Sequence, residues 1–225
     1  MPVIVIVDDQ PAICFAVKAM LKPLAGNAIH TANSGANACA SIRKHQPDLV
    51  ILDILLNKMD GLQLLQQLSR QAFTLRAIVY SSLPPEIYAS RAMRAGAAAF
   101  FSKDADISQL VPLCQLVLRG YGCFPQSTLE TLINTPAVPS EDNPLAPLSD
   151  RELIVLRYLV SGMSNKEIAD RLLLSNKTIS TYKRRLLDKL QQDSIEGLRT
   201  LLEPWENKLQ LIARTTENEA VPTKK

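Results

Sequence analysis

"LVILDILL", residues 49–56, sets a single aspartate among seven bulky aliphatic side chains. An ionised carboxylate taken out of water is costly unless it is paired, hydrogen-bonded or bound to metal. A run this apolar reads as a strand covered on both faces, as in a parallel sheet. Asp53 must then stand where that strand ends, beside something that compensates its charge.

Similar short, mostly apolar runs flank it: "VIVIV" (3–7), "AIHTA" (28–32), "AIVYS" (77–81) and "AAFFS" (98–102), with "DLVIL" (48–52) leading into Asp53. Between them apolar residues recur at helical spacing: Ile13, Val17, Met20 and Leu21; Ala36 to His45; Leu62, Leu65 and Leu68; Ile87 to Ala95; and Leu110 to Leu118. Strands alternating with helices predict a (βα)5, flavodoxin-like α/β domain with a five-stranded parallel sheet. Pro112 either lies in the first turn of the fifth helix, where its missing N–H is harmless, or kinks that helix.

In such a sheet, ligands bind at the carboxyl ends of the strands near the switch in strand order. Four of the five ends carry a reactive group: Asp8 and Asp9 on the first, Asp53 on the third, Ser81 on the fourth and Lys103 on the fifth. If the first and third strands are neighbours, their ends lie about 4.8 Å apart and three carboxylates converge. Like charges that close need a cation, and oxygen-only donors favour Mg²⁺ over zinc. A metal-held aspartate is a nucleophile towards phosphorus, with Lys103 supplying charge and Ser81 a hydroxyl to the transferring group.

The rest of the composition is bland. The chain has 225 residues, 47% hydrophobic and 21% charged, with a net charge of +3. Cys14, Cys39, Cys114 and Cys123 are far apart, and with only two histidines a zinc site is not expected. Met1 leads straight into "VIVIV", with no basic leader and no apolar stretch of about 20 residues, so a cytoplasmic protein with no membrane span is expected.

A proline-rich stretch, "NTPAVPSEDNPLAPL" (134–148), separates a second half of different character. "LSDRELIVLRYLVSG" opens on a capping box, Ser149 with Glu152, and closes at Gly162; Ser164 with Glu167 repeats the device. "SNKTISTYKRRLLDKL" follows after almost no loop, then "SIEGLRTLLE" up to Pro204. Trp205, Leu209 and Ile212 are spaced for a short closing helix. The expected layout is a first domain over 1–122, a linker over 123–148 with room for a short helix, an all-α four-helix domain over 149–212 and a disordered tail over 213–225. Two helices about a tight connection form a helix-turn-helix. On its second helix Ile179, Leu186 and Leu190 share an inward face, and Lys177, Ser180, Thr181 and Arg184 the opposite one. Residues 176–190 hold five basic side chains (Lys177, Lys183, Arg184, Arg185 and Lys189) against Asp188 alone, a local surface suited to double-stranded DNA.

"VDDQ", "LDILLNKMDG", "VYSS" and "FFSKDA" resemble the receiver domain of two-component response regulators. The resemblance implies that Asp53 is the phosphoacceptor, that Asp9 binds Mg²⁺ directly with Asp8 acting largely through water, and that the Leu55 carbonyl is a further ligand. It makes Ser81 the switch hydroxyl, Lys103 the phosphate-binding lysine and Phe100 the aromatic rotamer switch. Three departures stand out: Leu56 and Asn57 occupy positions that commonly hold Met-Pro, Asp104 follows Lys103 in place of proline, and Phe100 lacks a hydroxyl. Leu55 and Leu83 flank the path of attacking water and cannot orient it, so slow self-dephosphorylation is expected.

The second half resembles the LuxR-type helix-turn-helix of the NarL/FixJ class, and "SNKTISTYK" resembles its BvgA/EvgA-like branch, with Tyr182 where many relatives carry His. By that resemblance Ser180, Thr181 and Arg184 face bases in the major groove, while Lys177, Thr178, Lys183 and Arg185 contact phosphate. The reading is a phosphorylation-activated transcription regulator, not an enzyme beyond its own phosphoryl chemistry. Its implied partners are a sensor histidine kinase or phosphotransfer domain, promoter DNA, RNA polymerase and a second copy of the chain. The alternatives are a phosphorylation-independent DNA-binding or adaptor dimer, and an aspartate-nucleophile phosphatase. The phosphatase would need a general acid at Leu55.

Overall fold

The computed structural model describes residues 1–56, 59–70, 75–134, 145, 147–172 and 174–203. Asn57, the expected closing helix at Trp205, Leu209 and Ile212, the tail, and most of the proline-rich stretch lie outside the described residues. The chain divides into two compact units, Met1–Ser140 and Glu141–Lys225.

In the first unit, strands and helices alternate as the apolar pattern predicts: β1 (Ile4–Val7), α1 (Pro11–Ala25), β2 (Ile29–Ala32), α2 (Gly35–His45) and β3 (Leu49–Leu52). A two-residue pair follows, β4 (Leu55–Leu56) and β5 (Met59–Asp60), then α3 (Gly61–Ser69), β6 (Arg76–Ser81), α4 (Pro85–Arg94), β7 (Ala99–Ser102), α5 (Leu110–Leu118) and α6 (Gln126–Asn134). The five long strands form one parallel sheet in the order β2-β1-β3-β6-β7. β1 and β3 are neighbours, so the order reverses between them.

Side chains alternate across the sheet with period two. Ile4, Ile6, Ile29, Leu49, Ile51, Ile78, Tyr80, Ala99 and Phe101 form one core layer with Val17 and Leu21 of α1 and Leu110, Cys114 and Val117 of α5. The alternate residues, Val5, Val7, Val50, Leu52, Val79 and Phe100, are also buried, which is why these strands read as unbroken apolar runs.

Two prolines sit inside helices. Pro112 is the third residue of α5, within the first turn, after a 3₁₀ turn (Ile107–Gln109) that Asp106 caps. Pro23 lies in the last turn of α1, which still runs to Ala25 before Gly26 ends it at φ 57°. A proline this close to the end forfeits little of the helical ladder. The antiparallel β4–β5 pair, Leu55 opposite Asp60 and Leu56 opposite Met59, has no alternating signature in the sequence. Past residue 122 the chain stays on this unit. The Cys123 N–H donates to the Ala98 carbonyl at 2.9 Å and its carbonyl accepts from Phe100 at 3.1 Å, covering the open edge of β7. α6 then lies against α4.

The second unit is helical: α7 (Asp150–Val160), α8 (Asn165–Leu172), α9 (Asn176–Leu190) and a helix over 195–203. Both predicted capping boxes form: Ser149 and Glu152 bond reciprocally at 2.8 and 3.3 Å, Ser164 and Glu167 at 2.7 and 3.3 Å. Ser175 caps α9 by accepting from the Thr178 N–H. Ile179, Leu186 and Leu190 of α9 are buried, as are Leu153 and Leu156 of α7, Ile168 of α8 and Leu198 of the last helix, and α9 lies against both α7 and α8.

Candidate functional site

The register of the sheet builds the crevice. Val7 pairs with Leu52, so Asp8 and Asp53 are the next residues on adjacent strands, and the Asp53 N–H donates to the Val7 carbonyl at 2.9 Å. Ser81 pairs with Ser102, and the next residue, Lys103, donates its N–H to the Ser81 carbonyl at 2.9 Å. Asp8 and Asp53 are each 2% exposed and Ser81 is fully buried. The Lys103 ammonium bridges the two carboxylates, 2.7 Å from Asp8 Oδ2 and 2.7 Å from Asp53 Oδ2. The second oxygen of Asp8 accepts from the Gln10 N–H at 2.9 Å, and that of Asp53 from the Leu55 N–H at 3.1 Å. Ser81 Oγ accepts from the Leu83 N–H at 3.4 Å, leaving the hydroxyl proton to donate elsewhere. Phe100 is buried on the sheet face shared with Val79, opposite to the Tyr80–Phe101 stack.

The electrostatics follow from burial. Desolvation pushes the Asp8 carboxyl above the usual range, more strongly than the Lys103 and Gln10 hydrogen bonds pull it down. Desolvation also works against the Lys103 ammonium, but the Asp53 charge and the hydrogen bonds to both carboxylates outweigh it and hold its pKa above the ordinary lysine value. Carboxylate oxygens of Asp8, Asp9 and Asp53 lie within 4.8 Å of one another. Three carboxylates this close form a mostly buried, all-oxygen cluster. That donor set fits a hard divalent cation.

Gly61, which sequence reading passed over, underlies this geometry. A Cβ there would stand 2.3 Å from the Asp53 carbonyl oxygen and 2.8 Å from Ile54 Cα, so only glycine lets α3 start against the Asp53–Ile54 peptide. Gly61 also donates its N–H to the Ile54 carbonyl at 3.1 Å, while Asp60 caps α3 through the N–H groups of Leu62 and Gln63.

On α9, Lys177, Ser180, Arg184 and Arg185 are exposed, and Thr178, Thr181 and Lys183 are half-buried. The Ser180 and Thr181 hydroxyls each donate to a carbonyl one turn back, Asn176 and Lys177, at 3.0 Å. What they still offer outward is oxygen lone pairs and the Thr181 methyl. Thr178 Oγ1 lies 2.7 Å from Ser175 Oγ at the start of the helix. Asn165 of α8 donates to Ser180 Oγ at 3.2 Å, a cross-link the sequence spacing did not suggest. Lys189 counts towards the basic total of the helix yet turns inward, 2.8 Å from the buried Glu152 carboxylate and 3.2 Å from the Pro147 carbonyl. Glu152 is depressed in consequence, since the Lys189 and Ser149 hydrogen bonds outweigh its desolvation.

Comparison with known proteins bears on both units. Residues 4–115 match the family described as response regulator receiver domain, and residues 146–201 match bacterial regulatory proteins of the luxR family. The virulence factors putative positive transcription regulator BvgA of Bordetella pertussis is 38% identical over 195 residues, covering 87% of this chain and 93% of the relative.

The chain belongs to the response-regulator family.

Further relatives include the fimbriae Z protein of Salmonella typhimurium, 39% identical over 87% of this chain and 93% of that protein. The DNA-binding transcriptional activator EvgA of Escherichia coli is 30% identical over 87% of this chain and 95% of its own length. Among solved structures, the response regulator RcsB of Salmonella typhimurium matches with a TM-score of 0.57 at 22% identity, over 89% of this chain and 96% of that one, a likeness of fold. This response regulator therefore joins a receiver domain to a LuxR-type helix-turn-helix domain. None of the helices among the described residues is long and apolar enough to cross a membrane.

Proposed function

We propose that the protein is a phosphorylation-activated, DNA-binding transcription regulator in which Asp53 accepts the phosphoryl group. The observation that carries the reading is the Lys103 ammonium held 2.7 Å from both Asp8 and Asp53 in a buried crevice with Asp9 alongside. In this reading Asp8, Asp9, Asp53 and the Leu55 carbonyl would hold Mg²⁺, which would supply positive charge to the transferring phosphoryl group. An Asp53 carboxylate oxygen attacks phosphorus, and the O–P bond forms as the donor's P–N or P–O bond breaks. The Leu55 N–H fixes the orientation of that carboxylate, and burial strips competing water from it. Lys103 then moves from balancing two carboxylates to meeting the new phosphoryl charge, and the Ser81 hydroxyl donates to a phosphoryl oxygen. Phe100, packed on the same sheet face, shifts with Ser81 as the switch. The phosphodonor is a sensor histidine kinase or its phosphotransfer domain.

The output is binding of α9 in the major groove of promoter DNA. Arg184, Ser180 and Thr181 meet base edges, while Lys177, Thr178, Lys183 and Arg185 meet phosphates. Paired copies on repeated half-sites, recruitment of RNA polymerase and a cytoplasmic location complete the reading. Support comes from the family membership and the exposed cationic face of α9.

The test is intact-protein mass spectrometry of wild type and Asp53→Asn after incubation with acetyl phosphate, with and without Mg²⁺. A single Mg²⁺-dependent phosphoryl adduct, absent from the variant, is expected, with tighter promoter binding by the phosphorylated form. An adduct retained in Asp53→Asn would move the acceptor elsewhere. Equal DNA affinity of the two forms would favour a phosphorylation-independent DNA-binding dimer.

A further inference from the structure

Gly35 opens α2, yet its backbone has no need of glycine: its φ is not among the positive ones, and Ser34 caps the helix by accepting from Asn37 at 3.3 Å. What excludes a side chain is Met59. A Cβ on Gly35 would stand 2.1 Å from Met59 Sδ, 3.0 Å from its Cγ and 3.1 Å from its Cβ. The thioether of the β4–β5 pair thus lies over the bare Cα at the head of α2. Met59 pairs with Leu56, which is buried, and the adjoining pair is Asp60 with Leu55. Leu55 in turn donates its N–H to Asp53 Oδ1 at 3.1 Å. A continuous path of contacts runs from the head of α2, through Met59 and the short strand pair, to the carboxylate of the acceptor.

We propose that Met59, seated on Gly35, is a positioning residue that sets the orientation of the Asp53 carboxylate and with it the affinity of the acidic cluster for a divalent cation. The proposal rests on the cation reading above. At its other end the segment is held by the Gly61 backbone, which lies against Asp53, and by the Asp60 carboxylate, which caps α3. Nearer Leu55, the Met59 side chain reaches from the strand pair to Gly35 at the head of α2. A thioether suits the place, because its length and flexible torsions fill a shallow notch that a side chain branched at Cβ would fit poorly.

The experiment is calorimetric titration of the full chain with MgCl₂, for wild type, Gly35→Ala, Met59→Ala, the Gly35→Ala/Met59→Ala double variant, Met59→Leu and Asp9→Asn. Gly35→Ala and Met59→Ala should each raise the Kd for Mg²⁺ about tenfold, the lower end of the cost of removing a group that orients a metal ligand. The double variant should bind about as well as Met59→Ala, because the added methyl then escapes Sδ and Cγ and meets only the retained Cβ, at 3.1 Å, and that non-additivity is the signature of the contact. Met59→Leu, which refills the notch, should recover most of the affinity. A purely structural role would lower thermal stability in the single variants and leave the Kd unchanged, which overturns the proposal. Strictly additive losses overturn it as well. Wild type that takes up no Mg²⁺ in an Asp9-dependent manner overturns the cation reading itself, whereas Asp9-dependent uptake with an unaltered Kd in Gly35→Ala overturns this proposal alone.

Discussion

Replacing Gly61 with alanine tests how closely the helix after the acceptor must approach it. The added methyl would stand 2.3 Å from the Asp53 carbonyl oxygen, some 1.1 Å inside the 3.4 Å at which ordinary contact begins. These neighbours are all backbone atoms, so no side chain can rotate away. Either α3 retreats or the Asp53–Ile54 peptide moves. Two effects oppose each other energetically. Alanine is the better helix former by at most about 1 kcal/mol, and less at a first helical position. Overpacking of this kind costs about 1–3 kcal/mol. The clash wins, and a net loss of about 1–2 kcal/mol is expected, seen as a melting midpoint lowered by roughly 3–8 °C. Function should suffer more than stability, because a displacement of about 1 Å at a reacting group can cost up to about 100-fold in rate. Acetyl phosphate labelling followed by intact mass should therefore slow by about 10- to 100-fold in Gly61→Ala. Gly122→Ala is the control: its Cβ would meet only the Ala98 carbonyl, at an ordinary 3.5 Å, and its φ is not positive, so both readouts should stay close to wild type. A Gly61→Ala protein that melts at or above the wild-type temperature and labels at the wild-type rate would refute the reasoning.

Leu55→Asn or Leu55→Glu should shorten the lifetime of the phosphorylated form on the order of tenfold, by giving attacking water a polar partner beside Asp53 where Leu55 and the buried Leu83 offer none; decay of the adduct mass over time measures it. Lys177→Ala and Lys183→Ala should each flatten the dependence of log K for DNA on log salt by about 0.9. Lys189→Met should leave that slope unchanged and lower the stability of the helical unit by about 1–2 kcal/mol, a loss softened because the lysine is half-exposed; salt titrations and thermal melts separate the two cases. Acid should weaken the same unit through Glu152. Its folded pKa is depressed, so the stability it contributes is complete above the unfolded carboxylate value and is lost as pH falls through the folded one. Wild type should therefore lose stability of that unit over this acidic window, and Glu152→Gln should lose less; melts as a function of pH decide it.

The sequence by itself determined the elements and the chemistry. "VIVIV" and "LVIL" are apolar without alternation because both faces of the sheet are covered, and the burial of both Val50 and Ile51 is what that pattern encodes. Ser149 and Ser164 announced two helix starts, since a cap and its N–H partners lie within one turn and are local by nature. The polar residues at the strand ends could be named for the same reason: a charge after an apolar run is visible without knowing the neighbours of the strand.

What the tertiary structure decided involves partners far apart along the chain. That Asp8 stands beside Asp53 depends on β1 pairing with β3, and that Lys103 bridges them depends on β6 and β7 closing the sheet on the same side. Lys189 looks like one more cation on a basic helix until its partner 37 residues away is in view. Gly35 and Gly61 look like ordinary helix starts, because nothing local tells a glycine needed for close approach from one that is merely tolerated. The β4–β5 pair is too short to carry a period and exists because the chain must turn from Asp53 into α3. Periodicity and capping are written in neighbouring residues, whereas register, close approach and charge pairing arise only when distant segments meet.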